Sequence, residues 1–160
     1  MNTISKRIQA LSESQTIAMS QRSAELKAQG KDIINLSVGQ PDFHTPDHIK
    51  EAAIQAIHNN FTSYPPVPGY KDLREAIANK LKKENHLDYS REQIIVSAGA
   101  KHSLANTILS IVNKDDEVIV PAPYWVSYVE QVKLAEGRNV VVQTSIENDF
   151  KLTPAQLKNA

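Results

Sequence analysis

Two short segments of this chain carry residue types that could grip a small anionic, ring-bearing molecule: Ser97-Ala98-Gly99-Ala100-Lys101 and Ala122-Pro123-Tyr124-Trp125. In the first, Gly99 lets the backbone approach a ligand closely. The residues after it open a helix whose leading N–H groups and positive dipole end attract an anion, most naturally a phosphate. Lys101 adds a cation at the start of that helix. A tight strand-to-helix turn that binds nothing accounts for the same letters. In the second segment Trp125, the one tryptophan of the chain, offers a face to a flat heteroaromatic ring, and stacking contributes about 0.5–1.5 kcal/mol beyond area burial. Packing in a core or a subunit interface is the competing reading. Gly39, in the loop Ser37-Val38-Gly39-Gln40-Pro41-Asp42-Phe43, either offers an unshielded N–H to a carboxylate or serves a simple turn. Tyr64 stands on an arm stiffened by Pro65, Pro66 and Pro68, and either reaches away from its own domain or packs locally.

The elements that must position these residues follow from pattern. Residues 16–29 are rich in helix formers and end at Gly30, after which Ile33-Ile34-Asn35-Leu36 reads as a short strand. Thr45-Pro46 reads as an N-cap followed by proline at the first helical position, and Ile49, Ala52, Ala53, Ala56 and Ile57 form one helical stripe. The segment 64–69 can join neither sheet nor helix, because its prolines remove donors. Leu73, Ile77 and Leu81 then space a helix ending near Asn85. Ser90 and Gln93 predict a capping box before a buried strand at Ile94-Ile95-Val96, and the following helix is expected to turn Leu104, Ile108, Ile111 and Val112 inward. Val118-Ile119-Val120, a helix from Trp125 to Gly137, and Val140-Val141-Val142 complete a β-α-β-α-β order. That order predicts an α/β fold with a mainly parallel sheet, flanking helices and right-handed crossovers. In such sheets ligands bind beyond the carboxyl ends of the strands, where both segments named above fall.

Composition narrows the function classes. The 160 residues are 41% hydrophobic, enough for a core, and 18 basic residues balance 18 acidic ones. No single-sign field exists to gather nucleic acid or an anionic membrane. With no cysteine, disulfides, thiolate metal sites and cysteine nucleophiles are excluded, and a reducing cytoplasm is the expected location. No window approaches the roughly 20 apolar residues of a membrane span, and the opening twenty residues lack a signal h-region. Thr153-Pro154 caps a helix that has hardly begun by Ala160, which reads either as a fragment of a longer protein or as a frayed terminal turn.

Taken in order and spacing, Gly39-Gln40-Pro41-Asp42-Phe43, Tyr64-Pro65-Pro66-Val67-Pro68-Gly69, Ser97-Ala98-Gly99-Ala100-Lys101 and Pro123-Tyr124-Trp125-Val126-Ser127-Tyr128 resemble class I (fold type I) aminotransferases, in particular the bacterial aspartate aminotransferase branch. The resemblance runs from about residue 4 to the end and implies an N-terminal fragment of the pyridoxal-phosphate (PLP) dependent fold. Residues 1–45 would be an N-terminal arm and the start of a small domain, and 46–160 the first part of the PLP-binding large domain. It implies a cofactor site at Gly99, Ala100, Lys101 and Trp125. Gly39 and Trp125 would meet the substrate, with the Gly39 N–H on its α-carboxylate, and Tyr64 would reach the phosphate of the neighbouring subunit's cofactor in a homodimer. The implied substrates are an amino acid, aspartate or a relative, and 2-oxoglutarate. The lysine that holds PLP covalently, an aspartate on its ring nitrogen, an asparagine on its phenolic oxygen and an arginine for the substrate carboxylate lie further along such chains, so no catalytic residue is assigned here. Lys101 is unsuited to the covalent role by its place in the phosphate turn.

Two departures stand out. Asn113-Lys114-Asp115-Asp116 replaces a turn that in many relatives carries proline and glycine, and Ser12 stands where some relatives that also accept prephenate have lysine, which counts against that second activity. A PLP lyase or synthase of the same fold is the alternative. A nucleotide-binding module is a weaker one, since no G-x-G-x-x-G after a strand and no G-K-[ST] loop occurs.

Overall fold

The computed structural model describes residues 3–160, so the first two residues of the expected N-terminal arm lie outside it. Seven helices and two strands follow in order: α1 (Lys6–Gln9), α2 (Gln15–Ala28), α3 (Asp47–His58), α4 (Lys71–Asn85), α5 (Ala100–Ile111), β1 (Glu117–Ala122), α6 (Ser127–Leu134), β2 (Arg138–Gln143) and α7 (Pro154–Asn159). The contacts divide the chain into two compact units, one built from the residues up to Gly39 together with Ala100–Ala160, the other from Gln40–Gly99.

In the first unit, β1 and β2 pair in parallel with Val118 opposite Asn139 and Val120 opposite Val141, and α6 makes the crossover. These are the β-branched runs expected to form strands, extended by a residue or two at each end. β1 continues through Pro121 to Ala122 rather than stopping at the proline. Val120, Ala122 and Val132 are buried, and Val132 is the most enclosed side chain at 1% exposure. Gly137 sits where a Cβ would lie 2.7 Å from Val112 Cγ1, 3.1 Å from Val132 Cγ1 and 3.2 Å from the Asp116 carbonyl oxygen. The close passage of the turn before β2 over this core therefore requires glycine. The turn ahead of β1 is tied by Asp116, which accepts from the backbone N–H of Asn113 at 2.7 Å and its side-chain amide at 3.0 Å. These bonds hold the Asp116 carboxyl below the usual carboxylate range. α7 begins at Pro154, and Thr153 Oγ1 accepts from the Gln156 N–H at 3.2 Å while Gln156 Oε1 accepts from the Thr153 N–H at 2.9 Å, the reciprocal cap its sequence predicts.

In the second unit, α3 starts one residue later than its sequence suggests, with Pro46 rather than Thr45 in the cap position and no side-chain cap bond. α4 ends at Asn85 as its pattern predicts, with His86 in the left-handed conformation closing it. Between them Phe61 meets Tyr70 edge to face, ring centres 6.0 Å apart. The proline-rich arm turns back through a bond from the Gly69 N–H to the Pro66 carbonyl. The Gly69 backbone (φ +97°) faces Val96, whose Cβ would lie 2.8 Å from any Cβ placed there. The Ser90 N–H donates to Gln93 Oε1 at 3.0 Å over a 3₁₀ turn, and Arg91 reaches Glu92 and Glu75 at 2.7 and 3.1 Å.

Several expectations require correction. Ile33–Leu36 forms no strand and belongs to no ladder, with Ile34 85% and Leu36 90% exposed. Ile94–Val96 is likewise no strand: Ile94 is buried, Ile95 is 72% exposed, and the Val96 N–H donates to the Pro68 carbonyl instead of a neighbouring strand. The sheet among the described residues is therefore two-stranded and parallel, and the β-α-β-α-β order reduces to one β-α-β unit. On α5, Ile108 and Val112 are half-buried as expected, but Leu104 and Ile111 are exposed. α6 ends at Leu134, short of Gly137, because Glu136 adopts positive φ and the Gly137 N–H turns back onto the Val132 carbonyl.

Candidate active site

The first unit gathers its chemistry where α5 begins and α6 passes beside it. α5 opens at Ala100 with no acidic residue in its first turn, and leading N–H groups of a helix have no intrahelical acceptor. Gly99, just before it, has φ +93° and nothing within 4 Å of where a Cβ would be, and its N–H folds back onto the Ser97 carbonyl at 2.8 Å. The glycine is required here by conformation rather than by crowding. Lys101 Nζ stands 5.9 Å from the centre of the Trp125 ring, a cation–π separation. Ala100, Lys101 and Trp125 line one cavity of about 130 Å³ together with Leu104, Tyr128 and Gln131. The indole is 46% exposed and has surface left to offer a ligand.

Gln131 is a residue that sequence reasoning passed over. It is 8% exposed, its Nε2 donates to the Lys101 carbonyl at 2.9 Å, and its Oε1 is buried without a partner. An unpaired buried acceptor costs roughly 1–3 kcal/mol, against about 0.5–1.5 kcal/mol returned by an ordinary hydrogen bond. Nothing in the letters Glu130-Gln131-Val132-Lys133 singles it out, because a glutamine among charged helix residues is ordinarily a surface residue.

A larger cavity of about 410 Å³ adjoins α6 on the side of the N-terminal segment, bounded by Leu11, Ser12, Tyr124, Val126, Glu130 and Leu134 among others. Ser12 anchors that segment by donating its N–H to Glu130 Oε2 at 2.9 Å. Burial works against the charged form of Glu130, but bonds from Lys133 and from Ser12 outweigh it and hold the carboxyl below its ordinary range. The larger cavity also touches Lys101 but neither Ala100 nor Trp125, so the smaller one, which has all three, fits an anionic, ring-bearing ligand better. Among the other residues singled out by sequence, Gly39 lies in open surroundings in the first unit, and Tyr64 in the second unit is wholly exposed. Neither lines the small cavity. Among the described residues there is no cluster of His, Cys, Asp and Glu able to hold a metal, and no helix long and apolar enough to cross a membrane.

Comparison with known proteins adds a lineage to this geometry. Residues 31–160 match the model of the family described as aminotransferase class I and II. The chain is 50% identical over 157 residues to the aspartate/prephenate aminotransferase of Nitrosomonas europaea, and 48% identical over 157 residues to the aspartate aminotransferase of Bacillus subtilis. Each alignment covers 98% of this chain, which spans about 40% of the length of either relative. Among solved structures, the aspartate aminotransferase of Thermus thermophilus with maleate superposes with a TM-score of 0.95 at 43% identity, over 100% of this chain and 42% of that one. The enzyme from Rhizobium meliloti gives 0.93 at 37% identity, over 99% and 40%. The expected fold class holds, and with the family model covering most of its residues this chain belongs to the class I and II aminotransferases.

Proposed function

We propose that the full-length protein containing this chain is a PLP-dependent aminotransferase that moves the α-amino group of aspartate, or a related amino acid, to 2-oxoglutarate. The observation that carries this reading is the grouping of Ala100, Lys101 and Trp125 around one cavity at the start of α5. Leading amides and an ammonium suit a phosphate dianion, and an indole face suits a pyridine ring. Gln131, whose Oε1 is buried without a partner, lines the same cavity and makes its wall more polar than an ordinary core. When bound, PLP supplies an electron sink for the charge that develops at the substrate α-carbon.

The residues of this chain then have binding and orienting work. Gly99, Ala100 and Lys101 form the phosphate cup, Ala100 and Lys101 through main-chain N–H groups and Gly99, whose own N–H is bonded to the Ser97 carbonyl, by letting the backbone approach closely, while Trp125 stacks on the ring and lines the substrate pocket. The Gly39 N–H meets the substrate α-carboxylate. Tyr64 reaches the phosphate held by a neighbouring subunit, so the working unit is a homodimer with shared sites. The lysine that holds the cofactor covalently is assigned to no residue of this chain, so the 160 residues alone are inactive. A cytoplasmic location fits the absence of cysteine. Ser12 stands where some prephenate-accepting relatives carry lysine, so the second activity in the name of the Nitrosomonas relative is not part of the proposal.

The test is an assay of the full-length protein with aspartate and 2-oxoglutarate, in which glutamate must appear. Trp125→Ala should raise the KM for the amino acid about tenfold, the weight of a lost stacking contact and its burial, and should shift the absorbance of the bound cofactor. No change in either would return Trp125 to packing. Release of ammonia in place of glutamate would favour the lyase alternative.

A further inference from the structure

We infer that Gln131 is a positioning residue that sets the direction of the phosphate-facing amides of α5; the inference rests on the PLP reading above. Gln131 reaches from the middle of α6 across to the first turn of α5 and donates Nε2 to the Lys101 carbonyl at 2.9 Å. A carbonyl cannot be held without holding its peptide plane. The plane held is that of the Lys101–His102 peptide, so the bond ties the first turn of α5, on which the Ala100 and Lys101 N–H groups precede it, to α6. The same α6 follows directly on Trp125 and Val126. One side chain thus ties the helix behind the indole to the turn that bears the amides, and both line the same cavity.

Stability alone does not account for a glutamine here. It lies beside Val132, the most enclosed residue of the unit, and leaves Oε1 buried and unpaired. An apolar side chain of similar size would avoid that desolvation cost at the loss of a single hydrogen bond. What such a side chain would not do is hold the Lys101 carbonyl. Preorganised donors lose their worth when they are free to turn, so the glutamine earns its place through geometry.

The experiment compares apo full-length protein with its Gln131→Met variant, titrating each with PLP, with pyridoxal, which lacks the phosphate, and with inorganic phosphate as competitor, read by equilibrium dialysis. Methionine keeps length and volume and removes the donor. The expected result is PLP affinity weakened about tenfold or more, with pyridoxal affinity changed less than about twofold, as for a binding group moved out of alignment. Unchanged PLP affinity, or PLP and pyridoxal weakened alike, would overturn the inference, the second because a packing role moves both. If Gln131→Met does not fold, Gln131→Leu is read in the same way. Failure of the underlying reading looks different: the unaltered protein would then prefer PLP no more than pyridoxal, and phosphate would not compete.

Discussion

In the first unit Val118-Ile119-Val120 and Val140-Val141-Val142 belong to one parallel ladder, whereas in the second unit the equally β-branched Ile94-Ile95-Val96 joins none. Composition does not separate these runs. What separates them is a partner: β1 and β2 are joined by one short helix and meet as neighbours, and the register is fixed by buried Val120 and Ala122 on one face. Ile94–Val96 has only the Pro68 carbonyl for its last N–H, and Ile95 points outward. Apolar β-branched sequence alone therefore does not make a strand, which also needs a second chain segment to bond with. The same holds within the first unit for Ile33–Leu36.

This contrast can be broken by substitution in the 160-residue chain. Gly137→Ala places a Cβ 2.7 Å from a stiff valine branch beneath the sheet and is expected to cost about 1–3 kcal/mol by overpacking. Ile95→Ala, at a side chain 72% exposed, should stay within about 0.5 kcal/mol. Urea unfolding of both variants checks the pair, and a larger loss at Ile95 than at Gly137 would show that the second run is structurally engaged after all.

A smaller effect sharpens the account of the first unit. The Glu130 carboxyl is held below its ordinary range, so its contribution is complete above the unfolded carboxylate pKa and is lost as pH falls through the lower folded value. Exchange of the Ser12 amide, which bonds to Glu130 Oε2, should accelerate on acidification by an amount worth less than about 1 kcal/mol for this partly exposed group. Glu130→Gln should flatten that pH dependence. An unchanged profile in the variant would remove Glu130 from the anchoring of the N-terminal segment.

Much of this was readable from the letters, and for local reasons. α2 and α4, the helix-ending Gly30, the Thr153 cap and the two paired valine runs are each decided by a few neighbouring residues. Lys101 and Trp125 stand close together as expected, although only the second of the two expected strand-to-helix connections starts from a strand. What sequence could not supply depends on distant partners: the missing ladders of 33–36 and 94–96, the outward turn of Leu104 and Ile111 on α5, and above all Gln131. Its importance comes from a carbonyl thirty residues away, which no periodicity encodes.

The most direct measurement is a crystal structure of the full-length protein grown with PLP. The account predicts the phosphate at the Gly99 turn, within hydrogen-bond distance of the main-chain N–H groups of Ala100 and Lys101, with the pyridine ring lying against the indole of Trp125. A cofactor bound elsewhere, or one that leaves the start of α5 and Trp125 without a ligand in common, would contradict it.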